Sequence, residues 1–309
     1  MENLVPDFVK LERIFQENTY KVDARILDGC NFDCIYCSDE LKKKQDVKYV
    51  SADFLQEFSN FIYQTRNQKL NLNLTGGEPL LHPEFEKIVQ TPNVNHLSIS
   101  TNFSSNLHLL KKYDNFINAI TISLHRPYWK KWQSVFKKIE YFDLNPKKIH
   151  LTIMYWPGDM QTVMEIKKFW EDNPNKLGQF TLRRIRTKNQ WQEADEYSQE
   201  DLKFMIDNIK NTNTYHDVKA TYESGEEQLL NTNELMTKKL WNFRNWQCGS
   251  LQEGCLLVPE NLIQNGNCNQ IQITFDDFKT FILQQQPLIC KRPRCFCTFD
   301  LKFTKQRLN

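Results

Sequence analysis

The chain has 309 residues, 40% of them hydrophobic and 25% charged, with a formal charge of +2. That is enough for one large or two modest domains with a real core, and too little net charge to argue for nucleic-acid or membrane affinity. No apolar run approaches the length that spans a bilayer, and Met1-Glu-Asn-Leu-Val-Pro-Asp has no basic region followed by an apolar one, so a cytoplasmic protein is expected.

After a lead over residues 1–21, short apolar runs alternate with longer amphipathic ones. Strands are expected at 22–27, 70–74, 94–100, 119–124, 149–156 and 179–185, with helices between them at 52–64, 83–90, 107–113, 128–142 and 161–172. Ser51 suits an N-cap and Pro83 a first helical turn. Six such alternations imply parallel strands joined by right-handed crossovers, with the chemistry at the carboxyl ends of the strands. Beyond Thr187 the chain turns polar and helix-prone, with helices expected at 201–209 and 234–243. Residues 256–264 then read as a hairpin whose ends would bring Cys255 near Cys268.

Nine cysteines in an apparently cytosolic chain read as metal ligands rather than disulfides. Cys30, Cys34 and Cys37 lie in the run Asp28-Gly-Cys-Asn-Phe-Asp-Cys-Ile-Tyr-Cys37; the others, Cys248, Cys255, Cys268, Cys290, Cys295 and Cys297, are all near the end of the chain. The Cys-x3-Cys-x2-Cys spacing offers three thiolates from one loop, one fewer than a cubane cluster has irons. A closed zinc site takes four protein ligands, and no fourth Cys or His follows within about 40 residues. The second strand instead runs into Gly76-Gly77-Glu78-Pro79, where two glycines allow close backbone approach to a ligand and Pro79 stiffens the exit.

The cysteine loop, with Tyr36 just before its last cysteine, and the Gly-Gly-Glu-Pro turn together resemble the radical S-adenosylmethionine (radical SAM) enzymes. The resemblance covers roughly residues 22–186. It implies an α/β fold, a partial (β/α)6 barrel, in which Cys30, Cys34 and Cys37 hold a [4Fe–4S] cluster whose open iron is chelated by S-adenosylmethionine. One electron then releases a 5′-deoxyadenosyl radical that abstracts hydrogen from a substrate, and a flavodoxin- or ferredoxin-type donor is the implied partner. Cofactor contacts are expected from Tyr36, Gly76, Gly77, Glu78 (whose carboxylate would be available to the ligand), Pro79, Asn102 and Ser123. Tyr36 would pack near the adenine or simply on the barrel. His125 is taken as a substrate contact or proton carrier, the alternative being a satisfied structural group. Of the arginines at the sixth strand, Arg184 and Arg186 fall on one face and Arg183 on the other; Arg184 is taken to reach the cosubstrate carboxylate, the alternative being an exposed edge.

The last six cysteines, over 246–309, resemble a Twitch- or SPASM-type extension with an auxiliary iron–sulfur cluster. Six thiolates are too few for two fully ligated cubanes, so one is expected. Its ligands would be Cys268, Cys290 and Cys297, with a fourth from Cys248, Cys255 or Cys295. Two features depart from the SPASM pattern: Gly266 stands two residues before Cys268, and none of these six cysteines forms a Cys-x2-Cys pair. Thiolates also suit zinc. Residues 187–245 would form a helical bridge, and the basic stretch 302–307 a solvated surface. The expected substrate is a small polar metabolite such as a sugar, aminocyclitol or nucleotide. A peptide- or protein-modifying maturase is the alternative; about 20 residues before the first strand are too few for a peptide-recognition domain. The chain also ends Lys305-Gln-Arg-Leu-Asn309, without the terminal Gly-Gly of the molybdenum-cofactor cyclases.

Overall fold

The computed structural model describes residues 6–14, 18–125, 132–172, 178–185, 197–209, 217–231, 235, 238, 240–284, 288–292, 295 and 303–308. Its centre is a run of six parallel strands, β2 (Thr19–Leu27), β3 (Lys69–Gly76), β4 (Val94–Thr101), β5 (Ala119–Leu124), β6 (Ile149–Tyr155) and β7 (Gln179–Arg184), each paired with the next. The expected α/β class and parallel barrel core are therefore present.

Helices cover the outer face. In α1 (Ala52–Arg66) the Ser51 hydroxyl accepts from the Phe54 amide at 3.2 Å, and Asn67 closes the helix in the left-handed region at φ 52°. Both are end-capping devices that satisfy orphan backbone groups. Phe54, Leu55, Phe58 and Ile62, at helical spacing, are buried against the sheet, worth ~1.5–3 kcal/mol apiece for full burial. Further helices, α2 (Phe85–Ile88), α3 (His108–Lys112), α4 (Gln133–Tyr141) and α5 (Met160–Asp172), follow the same strand-to-helix alternation.

Period-two alternation then decides what faces inward. On β2, Val22, Ala24 and Ile26 are fully buried toward the helices, while Lys21, Asp23 and Arg25 line the barrel interior. Closed β/α barrels fill their interior with bulky branched side chains. Here many of the lining side chains are polar, and they border a cavity of about 520 Å³.

The barrel sheet does not stop at β2. Strand β11 (Gly254–Val258) pairs with it in parallel, and β12 (Leu262–Gln264) and β13 (Gln272–Ile273) continue antiparallel to give nine strands. Gly254 permits the join, since a Cβ there would lie 2.0 Å from the Lys21 carbonyl oxygen. The expected 256–264 hairpin is thus observed. However, it leaves Cys255 paired with Val22 inside the barrel core, away from the core that contains Cys268. A last helix, α7 (Phe275–Gln284), stacks Phe275 and Phe278 against Phe54, Phe58 and Phe61 of α1.

A second, antiparallel sheet has the order β14 (Leu288–Ile289), β10 (Gln247–Cys248), β15 (Lys305–Gln306), β1 (Phe8–Arg13), β8 (Asp217–Tyr222), β9 (Glu227–Asn231). The 1–21 lead therefore contains a structural strand. The bridge expected to be helical holds α6 (Gln199–Ile209) and then the β8–β9 hairpin, and residues 240–243 are not helical. Val218 and Ala220 alternate with Lys219 and Thr221, a strand pattern that buries only one face. Phe8, Leu11, Trp241, Phe243, Trp246 and Phe303 fill the core beneath this sheet, together with four cysteines. No helix among the described residues is long and apolar enough to cross a membrane.

Candidate active site

The cysteine loop leaves the carboxyl end of β2, and the Gly-Gly turn leaves β3 beside it. Ladder hydrogen bonds continue past both strands. Gly77 N donates to Leu27 O and Glu78 N to Gly29 O, each at 2.9 Å. Gly76 has φ +128°, and a Cβ on Gly77 would fall 1.9 Å from the Gly29 carbonyl oxygen. The turn therefore lies directly on the backbone that leads into Cys30, and only glycine fits.

Glu78 does something other than what the sequence suggests. Its side chain is wholly buried and accepts from Leu80 N at 3.2 Å, Thr101 Oγ1 at 2.7 Å and Asn102 N at 2.7 Å. The carboxylate is thus taken up by the protein and clamps the end of β4 to the turn, so it is not available to a ligand. Burial pushes it up to about 7, against the pull of the three donors. Because the folded value lies above the ordinary 4.5, its stabilising contribution is complete below that ordinary value and is lost as pH rises through about 7. In Glu78→Gln one acceptor becomes a donor facing donors, which is expected to cost about 1–3 kcal/mol. The variant should also lack this pH slope; urea unfolding of both proteins on either side of neutrality checks both points.

Asn102, held by that clamp, donates to Asn31 Oδ1 at 2.9 Å and reaches Cys30 Sγ at 3.6 Å. His125 Nδ1 lies 3.5 Å from Cys34 Sγ and contacts the Tyr36 hydroxyl. Tyr36 stacks on His125 and meets Trp156 edge-on. Burial lowers His125 to about 4, raises Cys34 to about 11 and raises Cys30 and Cys37. The structure thus gathers Cys30, Cys34, Cys37, Tyr36, Asn102, His125 and the turn around one loop. Pro79 is buried and opens the short helical turn Pro79–Leu81 behind it.

Ser123 lies on the lumen, as does Arg183. Arg184 does not: alternation turns it to the outer face, where its buried guanidinium lies 4.8 Å over the Tyr197 ring. Arg186 lies outside the described residues.

Sequence reasoning missed the lumen network, in which Asn73 donates to Asp23 and accepts from Ser98 and Ser100. It also missed Arg25, which donates to Asn267 Oδ1 at 2.7 Å. The available signal was the polar half of each buried parallel strand, Asp23/Arg25, Asn73/Thr75, Ser98/Ser100 and Thr121/Ser123, in elements that usually read as near-continuous apolar runs.

At the other end of the chain, Cys248, Cys268, Cys290 and Cys295 share the second core. Cys290 N donates to Trp246 O and Cys295 N to Trp241 O, each at 2.9 Å, while Asn265 Nδ2 donates to Cys268 Sγ at 3.2 Å. Cys255 is separate: it is fully buried in the barrel core beside the Tyr20 hydroxyl, and burial raises its thiol. Cys255→Ala is therefore expected to lower stability by about 1 kcal/mol and to leave iron content unchanged; metal analysis and thermal unfolding check this. Cys297 lies outside the described residues.

Both thiol groups suit iron–sulfur chemistry by donor type. Among the described residues no three Cys, His or carboxylate groups converge as a single ion requires. A multi-iron cluster, whose thiolates bind different irons, does not demand that convergence.

Residues 25–151 match the family model of the radical SAM superfamily. The chain carries a radical SAM domain, and its partial α/β barrel is the radical SAM fold. The family implies a [4Fe–4S] cluster and S-adenosylmethionine. Curated relatives include GTP 3′,8-cyclase of Yersinia pestis, 32% identical over 99 residues that cover 30% of each chain. GTP 3′,8-cyclase of Listeria welshimeri is 27% identical over 169 residues, covering 48% of this chain and 49% of that protein. The chain thus spans about a third to a half of the length of these relatives. Among solved structures, Streptococcus suis SuiB bound to precursor peptide SuiA aligns with TM-score 0.60 at 14% identity, over 85% of this chain and 64% of that one. That likeness is one of fold.

Proposed function

We propose that this protein is an oxidoreductase-type radical SAM enzyme that abstracts hydrogen from a small polar metabolite held in the barrel lumen. The family's bound cluster supplies one electron that cleaves S-adenosylmethionine reductively to a 5′-deoxyadenosyl radical. Cys30, Cys34 and Cys37 are the cluster ligands in this reading, with a flavodoxin- or ferredoxin-type protein as electron donor. Gly76 and Gly77 let the turn's backbone approach the cosubstrate. Asn102 orients the Cys30 side, and Ser123 and Arg183 present polar groups from the lumen wall. Tyr36 and His125 close the loop's other flank, where His125, neutral at physiological pH, can accept or pass a proton. Cys248, Cys268, Cys290 and Cys295 are assigned to one auxiliary iron–sulfur cluster that assists oxidation or anchors the substrate.

The observation that carries this reading is the lumen: about 520 Å³ lined by Asp23, Arg25, Asn73, His96, His150 and Arg183 among others. These polar side chains on the wall suit a hydrophilic substrate, whose groups they can hydrogen-bond. The curated relatives are named for an activity on GTP, which belongs to this substrate class. A peptide- or protein-modifying maturase is the second reading, and the peptide-bound neighbour supports it through fold only.

The test is the rate of 5′-deoxyadenosine formation by reduced, reconstituted enzyme challenged with nucleotides, sugars, aminocyclitols and short peptides. A member of the first three groups should raise the rate above the substrate-free level and pass deuterium from a labelled carbon into 5′-deoxyadenosine. Stimulation by peptides alone would overturn the assignment.

A further inference from the structure

Lys305 sits in the second core, although the sequence assigns its stretch to a solvated surface. It lies on β15, directly opposite Cys248 of β10 in the antiparallel pair. Its side chain is 1% exposed, and its ammonium donates to Cys248 Sγ at 2.7 Å. Nζ lies 6.0 Å from the centre of the Phe243 ring, and the charge is near enough to act on the Cys290 thiol. One cation is therefore set among the thiols of a single core.

Burying an ammonium is costly unless it meets negative charge and hydrogen-bond acceptors. A neutral thiol is a weak acceptor, whereas a metal-bound thiolate is a charged one. Four thiolates around a cluster carry net negative charge, which grows by one on reduction. A cation hydrogen-bonded to a ligand sulfur therefore stabilises the reduced state more than the oxidised one. Hydrogen bonds to sulfur are among the levers that set cluster potentials.

We propose that Lys305 is a positioning residue of the auxiliary cluster: its ammonium holds Cys248 in place as a ligand and raises the cluster's reduction potential, so that the cluster accepts an electron more readily. This rests on the reading of Cys248, Cys268, Cys290 and Cys295 as a cluster site. Cross-strand register fixes the arrangement, because β10 and β15 place residues 248 and 305 opposite each other and turn both side chains into the core.

The experiment uses the full chain with Cys30, Cys34 and Cys37 all replaced by Ala, so that any remaining cluster signal belongs to the second core. Iron and labile sulfide are measured after anaerobic reconstitution, and the midpoint potential by redox titration followed by electron paramagnetic resonance. Lys305→Met and Lys305→Arg are compared with this parent. The expected result is an unchanged iron content in both variants, a potential more negative than the parent in Lys305→Met, and one close to the parent in Lys305→Arg. Loss of cluster in Lys305→Met alone, with Lys305→Arg still loaded, also supports the proposal, since the two differ in charge. An unchanged potential in a loaded Lys305→Met protein overturns it while leaving the cluster assignment standing, and so does failure of both variants to load. If the parent itself binds zinc, or no iron and sulfide, the cluster assignment falls and the proposal with it.

Discussion

Cys34→Ala is expected to abolish release of 5′-deoxyadenosine from S-adenosylmethionine by reduced enzyme, with or without a substrate present. On the proposed assignment the front cluster has three protein ligands, and one iron is left for the cosubstrate. Losing one of the three exposes another iron and removes the anchor at the middle of the loop. Cys34 is also where His125 meets the loop, at 3.5 Å from the sulfur, so the substitution loosens that flank as well. Anaerobic iron analysis and chromatographic detection of 5′-deoxyadenosine decide the matter. Continued cleavage in a folded Cys34→Ala protein would show that the loop is misassigned.

Gly77→Ala should be nearly as damaging, although it removes no functional group. The new Cβ would stand 1.9 Å from Gly29 O, 2.4 Å from Gly29 C and 3.0 Å from Cys30 N. All three are backbone atoms, so no side chain can swing aside, and the loop itself must move. Overpacking of this sort costs about 1–3 kcal/mol. The larger effect falls on geometry: a displacement of ~1 Å at a reacting centre can cost about 10²-fold in rate. Gly77→Ala is therefore expected to fold, to lose at least that factor in S-adenosylmethionine cleavage, and to take up less iron at the front site. A variant with full activity would mean that the contact between the turn and the cysteine loop is not required.

Glu78 and Lys305 make the same physical point from two sides. Each is a charged side chain that composition alone would place in solvent, yet each is buried. Glu78 is tolerated because three donors converge on it, and through Thr101 and Asn102 it ties the end of β4 to the turn. Lys305 is tolerated where a sulfur accepts its hydrogen bond.

The sequence by itself determined the features that are local. The six strand–helix alternations are periodic over short windows, and Ser51 caps α1 as its type and position require. The Cys30-x3-Cys34-x2-Cys37 loop and the Gly76-Gly77 turn are defined by spacing along the chain, and strand succession puts them side by side. Tertiary structure alone decided the rest. The second sheet joins residues 8–13 to 217–231, 247–248, 288–289 and 305–306. Its short antiparallel pairings join strands from nearly the whole chain, and even where a strand alternates, as at 218–221, nothing local says which distant strand it pairs with. That pairing also turned an apparently solvated lysine inward against Cys248. The join between β2 and β11 drew Cys255 into the barrel core and away from the other C-terminal cysteines. The single-residue alternation of β7 set Arg183 rather than Arg184 on the lumen, because which face of a strand is inside depends on how the barrel closes, and a strand's own residues do not specify it.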